Sequence, residues 1–306
     1  MPLDPYIAAK ARQIAGLTFA DLEDPANMEL FHAYFTDEDV WTVPTGLVIH
    51  DDTVDSANGA IPVRVYTPPV EEAAPLVWLH GGGFSYGHLD MAEAHIVSAE
   101  LASRAQCAVI SVDYRLATTE VRFPAPVDDL MAVWQRFSAS SALGAPAIGG
   151  ASAGAAIAVS TALRARDEGL VIPRALLLAY PFLHFPNPAL AYDLAIEMST
   201  LPPLLRISAD SVADMVKNYV GRVTNLPRAA MPGAADLAGL PETSISVAEY
   251  DDLRPSAELF ALQLAEVGTS VRTELAEGMP HGHLNRVPTL PVVNRSLDFF
   301  AAALAG

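Results

Sequence analysis

A mostly parallel, doubly wound α/β sheet of about eight strands is the fold that this 306-residue chain predicts. Two observations carry that expectation. Short, near-continuous apolar runs recur along the chain: PLVWLH, CAVISVDY, PAIGGA, RALLLAY, TSISVAEY and VRTELAE. Strands of that kind suit a parallel sheet covered on both faces. Between them lie stretches with helical spacing, at 92–104, 127–138, 153–168, 255–267 and 292–304. Two earlier segments, GLVIHDDTV and IPVRVYTP, read as an antiparallel pair at one edge, turning at Ala57-Asn58-Gly59. The VRTELAE run is the candidate for the other edge. There is no internal repeat and no low-complexity linker.

Two regions break the rhythm. Residues 1–43 look helical and partly apolar. Residues 184–226 follow a strand without leading promptly to the next, and contain Pro186, Pro188, Pro202 and Pro203 before the helical DSVADMVKNYV. Insertions of that length in an α/β domain often serve as lids. The expected organisation is therefore a core of 44–183 and 227–306 with a helical cap of 1–43 and 184–226.

Composition excludes some functions. The chain is 51% hydrophobic and 18% charged, as a globular protein is, and carries a net charge of −18. So acidic a surface repels nucleic-acid backbones and anionic membranes. One cysteine, Cys107, rules out an internal disulfide, and its apolar run makes it a small core residue. The N-terminus lacks a basic region followed by an apolar one, and no apolar stretch is long enough to span a bilayer, so the expected location is cytoplasmic.

The stretch HGGGFSYG, His80 to Gly87, follows the run PLVWLH. Three consecutive glycines cost backbone entropy, so the loop needs bare N–H groups that a Cβ would block. Their spacing does not match the G-x-G-x-x-G of a dinucleotide site, and no G-K-[ST] is present. The remaining use is an oxyanion hole, which requires a nucleophile. G-x-S-x-G occurs twice, around Ser85 and around Ser152. A nucleophile elbow needs a strand, a cramped turn and an immediate helix. GASAG has small neighbours, follows a short strand and runs into AAIAVSTALRAR. GFSYG sets Phe84 and Tyr86 beside its serine and is followed by no helix. Ser152 is the candidate nucleophile, and Ser85 a decoy.

A serine needs a base, and the base an orienting acid, in the chain order Ser, Asp or Glu, His. After Ser152 the only histidines of the C-terminal third are His281 and His283, in EGMPHGHL. An H-x-H pair could bind metal, but no third ligand accompanies it. The acid candidates, Asp251 and Asp252, directly follow TSISVAEY. The one not used by the base is expected to be solvated or to cap the helix near Pro255. Spacing does not choose between them.

HGGGF at 80–84, DYRLA at 113–117, GASAG at 150–154, EYDDLR at 249–254 and GMPHG at 278–282 together resemble the hormone-sensitive-lipase-like carboxylesterases of the α/β-hydrolase fold, from about residue 60 onward. The resemblance implies a triad of Ser152, Asp251 and His281, with oxyanion N–H groups from Gly82, Gly83 and Ala153. It makes His80 a structural support of the glycine loop. It implies hydrolysis of a short, uncharged carboxylic ester, no cofactor and no metal. Phe84, Leu204, Leu205, Met215 and Tyr219 become candidate pocket residues, and the VRTELAE edge a candidate homodimer contact. The chain departs from the family pattern at Ala151, where an acid is usual, at Thr118-Thr119, at Pro255 and at His283, where an aromatic is common. The competing expectations are another acyl hydrolase (an amidase, lactonase or deacetylase) and a non-catalytic small-molecule receptor on the same fold.

Overall fold

The apolar runs become one eight-stranded sheet in the computed structural model, which describes residues 3–70, 73–139 and 143–305. The strands are β1 (Val48–Ser56), β2 (Gly59–Thr67), β3 (Ala73–Leu79), β4 (Cys107–Val112), β5 (Ala147–Ala151), β6 (Ala175–Ala179), β7 (Glu242–Tyr250) and β8 (Val271–Pro280). Their spatial order is β1-β2-β4-β3-β5-β6-β7-β8. β2 runs antiparallel to both β1 and β4, and the other neighbours are parallel. The β1–β2 hairpin and β8 are the two edges, as the sequence predicts.

Alternation within each buried strand sends side chains to two separate cores. Val77 and Leu79 of β3, Ile110 and Val112 of β4, and Leu176 and Leu178 of β6 pack on one face. Leu76 and Trp78, Cys107 and Val109, and Ala175 and Leu177 pack on the other. The first face is covered by α4 (Ala125–Ser138), α5 (Ala153–Asp167) and α8 (Arg254–Glu266). The second is covered by α3 (Ala92–Ala105) and α9 (Pro291–Leu304). α5 is small and apolar nearly all round, and buried accordingly. The chain reverses direction around β3, which pairs with β4 on one side and β5 on the other. Open α/β sheets bind ligands beyond the carboxyl ends of strands at such a switch point.

The two irregular regions form the remaining helices: α1 (Pro5–Ala11) and α2 (Pro25–Phe35), then α6 (Tyr192–Met198) and α7 (Ala209–Val220). They pack against one another. Ala11, Ile14 and Tyr34 share a buried cluster with Leu204, supported by Leu17, Leu22, Phe31 and Leu205. Polar ties hold the N-terminal segment to the sheet side. The Asp4 N–H donates to the Gly278 carbonyl at 3.0 Å, and Asp37 pairs with buried Arg286 at 3.0 Å. No helix among the described residues is long and apolar enough to cross a membrane.

Candidate active site

Ser152 stands between the last residue of β5 and the first of α5, with φ 52° and ψ −115°. That backbone is strained for a serine, and it lifts the side chain clear of the strand. Its small neighbours are a steric requirement: a Cβ on Gly154 would lie 2.3 Å from the His80 carbonyl oxygen. Ala151 is wholly buried in the core shared by Trp78 and Leu177.

Three sequence-predicted residues converge here. His281, just past β8, places Nε2 2.9 Å from Ser152 Oγ. Its Nδ1 lies 2.7 Å from Oδ2 of Asp251, just past β7. A carboxylate only accepts, so Nδ1 carries the proton and Nε2 is left to accept from the serine hydroxyl. Asp251 is 1% exposed, and its Oδ1 accepts from the Leu253 N–H at 2.8 Å. Burial on its own would depress His281, but Asp251, by charge and hydrogen bond, together with Glu93 and Asp252, leaves its pKa raised. Such a chain can take a proton from a serine and return it to a leaving group.

Asp252 differs from expectation, being neither solvated nor a helix cap. It is 7% exposed and accepts two guanidinium bonds from Arg206 (2.9 and 2.8 Å) and the Ile207 N–H (2.7 Å). It ties the 184–226 segment to the end of β7. His283 lies behind the site, with Nε2 3.1 Å from Ser296 Oγ. Burial, and then the charge of His281, lowers its pKa to about 3. Ser85, the decoy, is exposed, and its hydroxyl accepts from Asn218 rather than meeting a histidine.

The glycine loop runs beside Ser152. Gly82 has φ +104°, and a Cβ there would lie 1.9 Å from the Tyr86 carbonyl oxygen, so no other residue fits. Among the described residues, no hydrogen bond uses the N–H of Gly82, Gly83 or Ala153. Ala153 also opens α5, where the helix dipole favours negative charge. His80 is fully buried, stacks on Tyr114 (centroids 4.5 Å apart) and places Nδ1 2.7 Å from the Gly81 carbonyl oxygen. Burial lowers its pKa to about 4. The Tyr114 hydroxyl donates to the His80 carbonyl at 2.9 Å, bracing the same turn.

A cavity of about 700 Å³ opens over Ser152 and His281. Leu204, Leu205 and Gly82 line it. Phe84, Met215 and Tyr219 do not. Phe84, at φ 67°, turns inward and stacks on Tyr219 in the core, centroids 3.8 Å apart and nearly parallel. Met215 lies against Gly83, whose added Cβ would meet its sulfur at 2.7 Å. Sequence reasoning missed most of the lining: Phe31, Tyr34 and Phe35 of α2, Tyr86, Tyr180 and Arg206. The i, i+3, i+4 aromatic spacing of Phe31, Tyr34 and Phe35 was the available signal. Among the described residues, no three His, Cys, Asp or Glu side chains are grouped to hold a metal ion.

Comparison with known proteins places this geometry in context. A family model described as alpha/beta hydrolase fold matches residues 76–285. The chain is 36% identical to carboxylesterase NlhH of Mycobacterium tuberculosis, over 80% of this chain and 77% of that one. It is 30% identical to an arylesterase of Saccharolobus solfataricus, over 99% and 98% of the two chains. A hyperthermophilic esterase from the archaeon Pyrobaculum calidifontis superposes with a TM-score of 0.79 at 30% identity, covering 100% of this chain and 98% of that one.

Proposed function

The chain belongs to the α/β-hydrolase-fold family, and on that premise we propose that it is a serine carboxylesterase acting on short-chain, uncharged carboxylic esters. The observation that carries this reading is the continuous chain Ser152 Oγ–His281–Asp251, at 2.9 and 2.7 Å, at the floor of the cavity. Ser152 attacks the ester carbonyl while His281 Nε2 takes its proton. Asp251 holds the imidazole tautomer and stabilises the imidazolium. The N–H groups of Gly82, Gly83 and Ala153 receive the oxyanion. Each such donor is worth roughly 2.7–4 kcal/mol of barrier. His281 returns the proton to the leaving alcohol, and water repeats the cycle on the acyl-enzyme. No step calls for a cofactor.

Residues 1–43 and 184–226 serve as the cap that closes the cavity, a reading supported by their mutual packing and by the side chains both contribute to its wall. The free edge of β8 pairs two copies in a homodimer, which a sizing column showing only monomer would exclude. The test of the central reading is hydrolysis of p-nitrophenyl esters from acetate to long acyl chains, by wild type and by Ser152→Ala. Activity that peaks at short chains and vanishes in the variant is expected. A folded wild type inactive on every chain, or a fully active variant, would reject it.

A further inference from the structure

The catalytic parts proposed above arrive from different strands, and one buried carboxylate touches what joins them. Glu93, in the first turn of α3, is 2% exposed. Its Oε1 accepts the Gly81 N–H at 2.7 Å. Its Oε2 accepts the Tyr180 hydroxyl at 2.6 Å and Asn285 Nδ2 at 3.1 Å. Gly81 opens the glycine loop after β3, Tyr180 directly follows β6, and Asn285 lies in the loop that carries His281. A Cβ on Gly81 would stand 2.7 Å from Glu93 Oε1 and 3.1 Å from Ser152 Cβ, so carboxylate and nucleophile flank the same glycine. The Tyr180 ring, held through its hydroxyl, meets the His281 ring edge-on with centroids 4.9 Å apart.

The Gly81 and Asn285 N–H groups can only donate and a carboxylate only accepts, so this donor set fits the ionised form. Burial raises the Glu93 pKa, and Tyr180, the Gly81 N–H, His281 and Asn285 all oppose that rise. Burying that charge opposes folding, and a neutral side chain would fill the space at lower cost. The charge therefore calls for a role. Facing His281 are Asp251 and Asp252 beyond β7, Glu93 from α3, Tyr180 after β6 and neutral His283 on its own loop. Facing Glu93 are His281, Tyr180 and Tyr114. We propose that Glu93 is a positioning residue: it fixes the glycine loop and the His281 loop against Ser152, and its charge favours the imidazolium that His281 becomes. The inference rests on the esterase reading of Ser152.

The test is Glu93→Gln, which keeps volume and removes charge, with Glu93→Asp as the charge-keeping control. Both are assayed on a p-nitrophenyl ester across pH, and thermal melts report folding. In Glu93→Gln, kcat should fall on the order of tenfold to a hundredfold, as for small misplacements of a site. KM should hold within about twofold, the mark of an interaction made in the transition state. The acid limb of kcat/KM should move to lower pH, because His281 loses a neighbouring negative charge. Glu93→Asp should keep the limb and recover part of kcat. A folded Glu93→Gln with wild-type kcat and an unmoved limb overturns the proposal, as does equal loss in both variants with no movement of the limb. Should Glu93→Gln not fold, Tyr180→Phe decides: a lowered kcat at constant KM supports the proposal, and a wild-type kcat overturns it. Ser152→Ala runs in parallel. Its retaining activity would overturn the esterase reading instead, whereas an inactive Ser152→Ala beside a wild-type-like Glu93→Gln overturns only this inference.

Discussion

Two adjacent aspartates, one peptide bond apart, should respond to the same substitution in opposite ways. In Asp251→Asn the Leu253 N–H, now 2.8 Å from Oδ1, still requires an acceptor and holds the amide oxygen on its own side. The amide nitrogen is then the atom that faces His281 Nδ1, at a position now 2.7 Å away. Donor faces donor, so the imidazole must turn tautomer and carry its proton on Nε2. A protonated Nε2 cannot accept from Ser152. A tautomer error of this kind lowers kcat on the order of 10⁴-fold in the serine-protease template. That corresponds to about 5.5 kcal/mol of barrier at about 1.4 kcal/mol per tenfold. Asp252→Asn leaves the relay intact and weakens two guanidinium bonds to Arg206. Its effect belongs to stability, about 1.5–3 kcal/mol for hydrogen bonds to a charged group. The assay is kcat and KM on a short p-nitrophenyl ester beside a thermal melt. Asp251→Asn should keep its melting temperature and lose turnover, and Asp252→Asn should lower its melting temperature and keep most of kcat. The opposite ranking in kcat would refute the assignment of the acid.

The pH profile follows from the charge around His281. The base must be neutral to accept, and its pKa is raised above the ordinary 6.5, so kcat/KM should fall with decreasing pH along a limb centred above that value; a limb centred below it would contradict the electrostatic reading. Phe84→Ala, which removes a ring stacked on Tyr219 in the core, should cost about 3–5 kcal/mol in a denaturant melt and change chain-length preference little. Leu205→Ala, on the cavity wall, should extend the preferred acyl chain with little change in melting, and an unchanged preference would remove Leu205 from the pocket.

The sheet was legible because buried parallel strands announce themselves as apolar runs, and each run quoted from the sequence became a strand. The helices were legible for the complementary reason, and those five spans begin within two residues of their expected starts. The spatial chain around Ser152 was approached through order and loop position, because strand ends deliver loops to one rim. Side-chain direction was not legible in the same way. Phe84 adjoins the glycine loop in sequence, yet its positive φ turns the ring into the core. Tyr219 counts as a candidate pocket residue by the resemblance, yet Val212, Val216 and Tyr219 form a buried stripe along α7, a signal present in the sequence. The partner of Asp252 lies 46 residues away, so no local pattern could distinguish the two aspartates.

Strain marks where the chemistry is held. Of the non-glycine residues with positive φ, Phe84, Ser152 and Tyr180 border the proposed site, and such conformations cost about 1–3 kcal/mol each. They persist where the surroundings over-determine them. The Ser152 N–H donates to the Ala179 carbonyl at 2.9 Å, and the Tyr180 N–H to the Ser246 carbonyl at 2.7 Å. The Phe84 carbonyl accepts from Ala117 at 2.7 Å while its ring is locked on Tyr219. The three hydrogen bonds belong to the sheet and its immediate loops, whereas the Tyr219 ring comes from α7. The wall facing them is built differently, from aromatic and leucine side chains of α2 and the 203–205 turn, joined to the sheet side through the Asp37–Arg286 and Asp252–Arg206 pairs. Substitutions on that wall can reshape the cavity without disturbing the strained backbone that holds Ser152.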